Sequence, residues 1–325
     1  MRRERRSRAP GGDGSTAAEQ PEGPAAILAD MRIGLLGLGL IGGSVARALR
    51  RDAPAHGSET WTIAAWTPSG RGPTAALADG TIDRVASSPE AAIDGADLVV
   101  LAGPAPDCLQ QLDELAGPWN RTVGPDTVIT DVASTKGAIV LRATALGLRF
   151  VGGHPMAGRE TSGYGASSAD LFVDRPWVVV PTSDDAAVER VEQLARACGA
   201  EPLRLGAAVH DRAVAGVSHL PLVVAAALVE AVAGNGPAGP AADWSDAAAL
   251  AATGWRDTTR LARGDTAMGA GIITTNAPAI AARIRELITV LDGWLAELER
   301  PGGPEAADIA ERLRMARERL EALPR

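Results

Sequence analysis

The segment Gly37-Leu-Gly39-Leu-Ile-Gly42 constrains the fold of this chain more than any other feature. It follows the apolar run MRIGLL and precedes a helical pattern, SVARALRR. The first glycine of G-x-G-x-x-G permits a tight turn, the second admits phosphate to the backbone, and the third lets helix and strand pack closely. We predict a dinucleotide site whose pyrophosphate contacts the helix N-terminus, including Leu40 and Ile41. A glycine turn for another ligand, such as a methyl donor, is the alternative.

Short apolar segments alternate with helical patterns through the first half of the chain. The strand signals are MRIGLL, TWTIAAW, ADLVVLAGP, DTVITDVAS, RFVGGHP and PWVVVPT. Fully apolar strands separated by helices predict a buried parallel sheet. The pattern ends near Thr182, and no strand signal remains from about residue 210 onward. We therefore predict an α/β fold, with a doubly wound Rossmann-type domain over 31–182 and an all-helical dimerisation domain over 183–325.

Composition excludes several classes of protein. A chain of 325 residues with 46 % hydrophobic residues can form two cores, and its net charge of −8 argues against a nucleic-acid partner. Cys108 and Cys198 offer no metal-binding spacing and no disulfide framework. Residues 1–30 contain clustered arginines without the apolar stretch of a secretory signal, so we expect a disordered tail and a cytoplasmic protein. Met31, directly before the first strand, is an alternative start.

The segment 213–234 is apolar and long enough to suggest a membrane span. It contains Ser218, His219, Pro221 and Glu230, and four such residues disfavour a transmembrane helix. We predict a buried helix of the second domain, with no membrane contact. Because a small helical domain cannot cover so apolar a helix alone, we also expect a homodimer.

The end of the second predicted strand bears on the choice of cofactor. An acid there would bind the ribose 2′-hydroxyl of NAD, but IAAWTPSGR offers Thr67, Ser69 and Arg71 instead. Hydroxyl groups and an arginine accommodate a 2′-phosphate, so NADP is weakly favoured over NAD. Gly103 and Pro104, after the strand of ADLVVLAGP, are further predicted cofactor contacts.

The chain has four histidines and a single lysine, and two of these residues follow predicted strands. His154, in VGGHPMAGRE, lies where strand ends of a doubly wound sheet border a crevice, which favours a catalytic role. His56 lies in a polar segment. Lys136, in DVASTKG, is the only lysine among 32 basic residues. It reflects either a need for a compact ammonium or mere drift.

The segments LLGLGLIGGSVARAL, TDVASTKG, GGHPMAGRETSG, HDRAVAGVSHLP and GWRDTTRLA occur in an order that resembles the prephenate/arogenate dehydrogenase family. The resemblance covers about residues 31–290. It implies an NAD(P)-binding domain, a helical domain that forms an intertwined dimer, and a role in tyrosine biosynthesis.

The resemblance also implies site residues. His154 would act as the base that takes the proton of the substrate hydroxyl, and Ser134 would bond the same hydroxyl. Arg260 would bind a substrate carboxylate, as a bidentate guanidinium can. Arg256, one helical turn earlier, would lie on the same helix face and is a weaker candidate.

Two further positions concern the mouth and the side-chain end of the substrate site. By the same resemblance, Glu160 would lie near the mouth of the site. Many prephenate-specific members carry a second histidine after SHLP, where this chain has Leu222. His219 remains, either as a substrate contact or as a packed helix residue. The substrate side chain, a keto acid or an amino acid, therefore stays open.

Several functions follow from these observations. The first is prephenate dehydrogenase, which oxidatively decarboxylates prephenate to 4-hydroxyphenylpyruvate with hydride transfer to NAD(P). Alternatives are an arogenate dehydrogenase and a 4-amino-4-deoxyprephenate dehydrogenase of specialised metabolism. Another is a hydroxy-acid dehydrogenase with Lys136 as its acid and base. A non-catalytic dinucleotide sensor is the alternative outside the enzymes.

Overall fold

A computed structural model describes residues 31–51, 61–159, 161–234 and 241–322. The predicted tail at 1–30, His56 and Glu160 lie outside the described residues.

The first half of the chain forms a six-stranded parallel sheet. Its strands are β1 Arg32–Leu36, β2 Thr62–Trp66, β3 Arg84–Val85, β4 Leu98–Leu101, β5 Val128–Asp131 and β6 Phe150–Val151. Their spatial order is β3-β2-β1-β4-β5-β6, and every pairing is parallel. This is the strand order of a doubly wound dinucleotide-binding sheet, so the predicted fold class is confirmed.

The sheet separates two apolar cores. Along β4, Leu98 and Val100 point into one core, whereas Val99 and Leu101 point into the other. All four side chains are fully buried. This burial on both faces explains why the strands are continuously apolar instead of alternating.

Helices cover the sheet and then make up most of the second half of the chain. Those that follow strands of the first sheet are α1 Leu40–Arg51, α2 Arg71–Ala78, α3 Pro89–Ile93, α4 Ala105–Ala116 and α5 Gly137–Ala145. The later ones are α6 Asp185–Ala197, α7 Ala207–Val214, α8 Leu220–Ala233, α9 Trp244–Ala249, α10 Thr253–Thr258, α11 Thr266–Thr275, α12 Ala277–Leu298 and α13 Ala306–Glu321.

A second sheet differs from the sequence prediction. The segment RFVGGHP, predicted as one strand, divides at Gly152 into β6 of the main sheet and β7, Gly153–Pro155. A Cβ at Gly152 would lie 3.1 Å from Val140 Cγ2 and 3.2 Å from Val180 Cγ2, so a side chain there would crowd both valines. β7 pairs antiparallel with β8, Pro176–Val179, which pairs parallel with β9, Glu201–Arg204.

The predicted domain boundary at 182/183 stays a prediction, but β9 and α6 bear on it. β9 pairs with β8, and α6 packs against β6 and β8. Both therefore contact elements that precede the predicted boundary. β9 lacks a sequence signal because three of its four residues are exposed, so no apolar run marks it.

The helix over Ala207–Ala233 is the one described helix long and apolar enough to cross a membrane by length and composition. It consists of α7, a π-helical turn at Ala215–His219, and α8. His210, Asp211 and His219 on this helix are buried and hydrogen-bonded within the protein. These contacts tie α7 and the π turn to the folded domain. In α8, however, only Ala225 is buried, and 22 % of the helix's apolar window is buried, so the prediction of a buried helix is wrong for most of its length in the single chain.

Candidate active site

The glycine turn joins β1 to α1 at the carboxyl edge of the sheet. Gly37 has φ of 111°, and a Cβ there would lie 2.6 Å from the carbonyl of Ala102. A Cβ at Gly42 would collide with the carbonyl oxygen of Gly37. At Gly39 an added Cβ would meet no atom within 4 Å. Packing therefore demands the first and third glycines, whereas the second faces open space, as a site for pyrophosphate requires.

The predicted cofactor contacts lie around this turn. Leu40 and Ile41 form the first turn of α1, where backbone N–H groups have no intrahelical acceptor. Gly103 and Pro104 follow β4, and Pro104 immediately precedes α4. All four residues lie at the carboxyl edge of the parallel strands, the place where such sheets bind ligands.

The turn after β2 carries the residues predicted to distinguish NAD from NADP. Thr67 Oγ1 is buried and has no hydrogen-bond partner among the described residues. Ser69 accepts the N–H of Arg71 at 3.4 Å, and Arg71 begins α2. A buried hydroxyl without a partner can bind a polar group of a ligand.

A chain of three side chains links His154 to the second half of the molecule. His154 Nδ1 lies 2.8 Å from His210 Nε2, and His210 Nδ1 lies 2.8 Å from Asp211 Oδ1. β7 supplies His154, and α7 supplies the other two residues. The sequence prediction identified His154 but not these partners.

This arrangement determines which nitrogen of His154 is available. Since Asp211 can only accept, Nδ1 of His210 carries a hydrogen, and Nε2 of a neutral His210 ring accepts from His154 Nδ1–H. The remaining nitrogen of a neutral His154, Nε2, then holds a lone pair. Burial, and next the positive charge of Lys136, lower the pKa of His154 well below its ordinary 6.5. His154 is thus neutral near pH 7 and able to accept a proton.

Asp211 also caps helix α5. Its Oδ1 accepts the N–H of Lys136 at 2.8 Å and its Oδ2 accepts the N–H of Gly137 at 2.7 Å. Burial raises the pKa of Asp211, but the His210 bond and these two N–H groups outweigh it and lower the pKa overall. A Cβ at Gly137 would lie 2.8 Å from Oδ2, so glycine is needed for the cap.

His219 lies in the same cluster with a fixed tautomer. Asn276 Nδ2 donates to the carbonyl of Asp211 at 2.8 Å and lies 3.1 Å from His219 Nδ1, which must therefore accept. Burial lowers the pKa of His219 to about 4. Its Nε2 consequently carries a hydrogen, and that atom is buried without a partner among the described residues.

The π-helical turn explains how one helix presents two histidines to one site. His219 follows His210 by about two and a half turns, so a regular α-helix would place them on roughly opposite faces. The extra residue of a π turn rotates His219 toward the face of His210. His210 and His219 each lower the pKa of His154, and His210 also lowers that of His219, as expected for rings in one cluster.

Lys136 lies on the side of the cluster nearer the sheet. Its side chain is fully buried, forms an ion pair with Asp131 and donates to the Gly153 carbonyl at 2.7 Å. An ammonium so engaged cannot serve as the acid and base of a hydroxy-acid dehydrogenase.

The remaining predicted site residues that the structure describes include Ser134, Arg256 and Arg260. Ser134 is half-buried in the turn after β5. The hydrogen-bond partner of His154 is His210, not Ser134. Arg260 begins a 3-10 turn, Arg260–Arg263, that packs against α8. Arg256 lies in α10, and both arginines are exposed.

The expectation that Arg256 and Arg260 share one helix face is wrong, because α10 ends at Thr258. The hydroxyls of Thr258 and Thr259 bond back to carbonyls of Gly254 and Trp255. Such bonds compete with helical hydrogen bonds and favour an end to the helix.

Sequence reasoning missed His210, Asp211 and Asn276. The sequence signal for His210 and Asp211 was their occurrence as a His-Asp pair in a helical segment. That pair contributed only to the family resemblance, as part of HDRAVAGVSHLP. Asn276 gave no signal, because it directly precedes α12 and reaches the cluster through tertiary packing.

A doubly wound parallel sheet, an open glycine turn and a buried neutral histidine at the start of the second sheet are the features of a dinucleotide-dependent oxidoreductase with an attached helical domain. Comparison with known families agrees. A family model for the prephenate dehydrogenase nucleotide-binding domain matches residues 45–203, and one for the prephenate dehydrogenase dimerization domain matches 206–305. The chain belongs to the prephenate dehydrogenase family.

Individual relatives support this membership. The prephenate dehydrogenase of Bacillus subtilis is 32 % identical over 295 residues, which cover 89 % of this chain and 75 % of the relative. The A. aeolicus prephenate dehydrogenase, solved with hydroxyphenyl propionate and NAD+, is 25 % identical with a TM-score of 0.77, covering 90 % and 99 % of the two chains. The Synechocystis arogenate dehydrogenase is 29 % identical with a TM-score of 0.70, covering 89 % and 100 %.

Proposed function

We propose that this protein oxidatively decarboxylates prephenate to 4-hydroxyphenylpyruvate and carbon dioxide, with hydride transfer to NAD(P). The observation that carries the proposal is the bonded chain from Asp211 through His210 to His154. It leaves Nε2 of a neutral, buried histidine available as a base. A dinucleotide sensor has no use for such a base.

In this proposal His154 Nε2 takes the proton of the substrate C4-hydroxyl as hydride leaves C4. The bound nicotinamide supplies the hydride acceptor. The bond from the ring to its carboxylate then breaks, carbon dioxide leaves, and the electron pair completes an aromatic ring whose C4 oxygen takes the proton back from His154. His210 and Asp211 stabilise the imidazolium that forms at His154, because a carboxylate at the end of the chain favours the positive charge.

The other predicted residues take supporting roles. Ser134 orients the substrate hydroxyl toward His154, and Arg260 binds a carboxylate of the substrate. Arg256 is a weaker candidate for the same carboxylate, and Glu160 would lie near the mouth of the site. These assignments come from the family resemblance.

The glycine turn fits a dinucleotide, since Gly39 leaves open space at the N-terminus of α1. The turn after β2 favours NADP over NAD, because Thr67 offers an unpartnered hydroxyl and Arg71 a cation where a 2′-phosphate would lie. Substitution Arg71→Ala should raise the Kd for NADP about 10-fold or more, in line with the loss of a charge-assisted bond, and leave that for NAD nearly unchanged. Equal losses for both cofactors would contradict this preference.

Arogenate is the second candidate substrate. Leu222 stands where prephenate-specific relatives carry a histidine, and the buried Nε2–H of His219 is the donor left at this end of the helix. The 4-amino-4-deoxyprephenate alternative differs at C4, where the same base would act. Steady-state kcat/KM for the three substrates, each with NAD and with NADP, decides among them.

A homodimer completes the proposal. Ile288, Leu291, Leu295 and Leu298 recur at helical spacing along α12, and each is at least half exposed. A second copy would cover this face, in agreement with the dimerization domain of the family. Sedimentation at micromolar concentration tests it: a monomer would contradict the proposal. We further propose a cytoplasmic location, as for enzymes of amino-acid metabolism.

A further inference from the structure

Lys136 and Asp131 form an ion pair from which water is excluded. The side chains of both residues have no exposed surface. Burying two charges is costly unless each is paired and hydrogen-bonded, so such a pair persists only where its geometry serves the fold or the site. Both members of the pair bond to Gly153, the residue directly before His154 in β7.

Both polar backbone groups of Gly153 are bonded to this pair. Asp131 Oδ1 accepts the Gly153 N–H at 3.1 Å, and Lys136 Nζ donates to the Gly153 carbonyl at 2.7 Å. The other carboxylate oxygen of Asp131 accepts from Ala133 N–H at 3.1 Å and from Lys136. The residue directly before His154 is thereby fixed to the end of β5.

We propose that Lys136 is a positioning residue for His154: with Asp131 it fixes the backbone from which the imidazole reaches the substrate. The proposal rests on the proposed function, because it concerns the orientation of the base. His210 fixes the ring from its other end, so the base is restrained at both its backbone and its Nδ1.

The same geometry explains why this position holds the chain's single lysine. An ammonium has three donors, and Asp131 and Gly153 accept from it. A guanidinium has five donors in a rigid plane, and some would remain unpaired in this enclosed space. Gly152 adds a steric limit, since even a Cβ there would lie 3.3 Å from Lys136 Cδ.

The ammonium also acts on His154 through its charge. After burial, Lys136 is the largest influence that lowers the pKa of His154. The other titratable groups around the ring are His210, which is bonded to Asp211, and His219, while Asp131 lies behind the ammonium. Removal of the lysine charge should therefore raise the pKa of His154.

Two substitutions separate shape from charge. Lys136→Arg keeps the charge and should lower kcat about 10- to 100-fold, the cost of a misplaced base, with Kd for the cofactor nearly unchanged. Lys136→Met removes the charge and should in addition move the acidic limb of the kcat profile to higher pH. Arg149→Met is the matched control: it removes a cation that bonds to Asp184 and to the Asp126 carbonyl and not to Gly153.

The proposal is overturned if Lys136→Arg retains wild-type kcat and pH profile, or if both variants lose activity only as far as Arg149→Met does. Turnover by the wild type tests the proposed function separately. NMR titration of His154 in wild type and Lys136→Met tests the proposal without turnover, and an unchanged pKa contradicts it. Should neither variant fold, ¹⁵N-lysine labelling of the wild type yields one side-chain ammonium signal. Slow hydrogen exchange supports the proposal, and exchange as fast as that of free lysine overturns it.

Discussion

His154 and His210 face each other edge to face, with ring centroids 5.1 Å apart and planes inclined at 79°. Their 2.8 Å contact joins β7 of the second sheet to helix α7 of the second half of the chain. The proposed base is therefore oriented by helix α7, which belongs to neither sheet. Activity should depend on the docking of α7 as much as on His154 itself.

Replacement of the base tests its role. His154→Asn should lower kcat at least about 100-fold, the usual contribution of a general base, with cofactor affinity unchanged. Rapid-mixing measurement of reduced cofactor checks the rate, and a cofactor titration checks the affinity. Near-normal kcat would show that another group takes the proton.

Asp211→Asn should lower kcat by about 100-fold or more, because an amide can donate to His210 Nδ1 and so reverse the tautomers along the chain. Asp184→Asn is the matched control, since Asp184 also caps a helix, α6, by accepting the Ala187 N–H at 2.9 Å. Equal loss of activity in the two variants would reduce the role of Asp211 to capping.

Much of the fold was predictable from sequence because its signals are local. The glycine turn and the apolar strands at β1, β2, β4 and β5 each depend on neighbours along the chain. The division of the predicted strand at Gly152 was not predictable, because side chains distant in sequence crowd that position. The exposed strand β9 was not predictable either, because its pairing with β8 determines it.

The candidate site was predictable only in part. His154 was predicted from its place after a strand. Its partners His210 and Asp211 were not, because no spacing pattern links residues of β7 to residues of α7. The π turn that rotates His219 toward the cluster also depends on hydrogen bonding that residue periodicity does not encode.

Substrate preference should respond to position 222. Leu222→His restores the histidine of prephenate-specific relatives near the side-chain end of the substrate. It should raise the ratio of kcat/KM for prephenate over arogenate by about 10-fold or more, as expected for one hydrogen bond to a charged group. Leu222→Asn, polar but without an imidazole, is the control. An unchanged ratio for the histidine variant would show that position 222 does not contact the substrate.

Stability should fall on mild acidification. The folded-state pKa values of His154 and His219 lie below 6.5, that of His219 at about 4, so the unfolded chain binds more protons. Their contribution is complete above pH 6.5 and is lost as the pH falls toward 4, by up to roughly 1.4 kcal/mol per pH unit for each histidine. Denaturant unfolding at several pH values measures this. His219→Gln should flatten the dependence, and a wild type more stable at about pH 5 than pH 7 would contradict it.

The most direct measurement follows reduced cofactor and released carbon dioxide together, with purified protein, prephenate or arogenate, and NAD or NADP. We expect equimolar amounts of the two products from the wild type and almost none from a His154→Asn variant that still binds cofactor. No reduced cofactor from either substrate or from the 4-amino analogue would contradict it, as would equal turnover by the His154 variant.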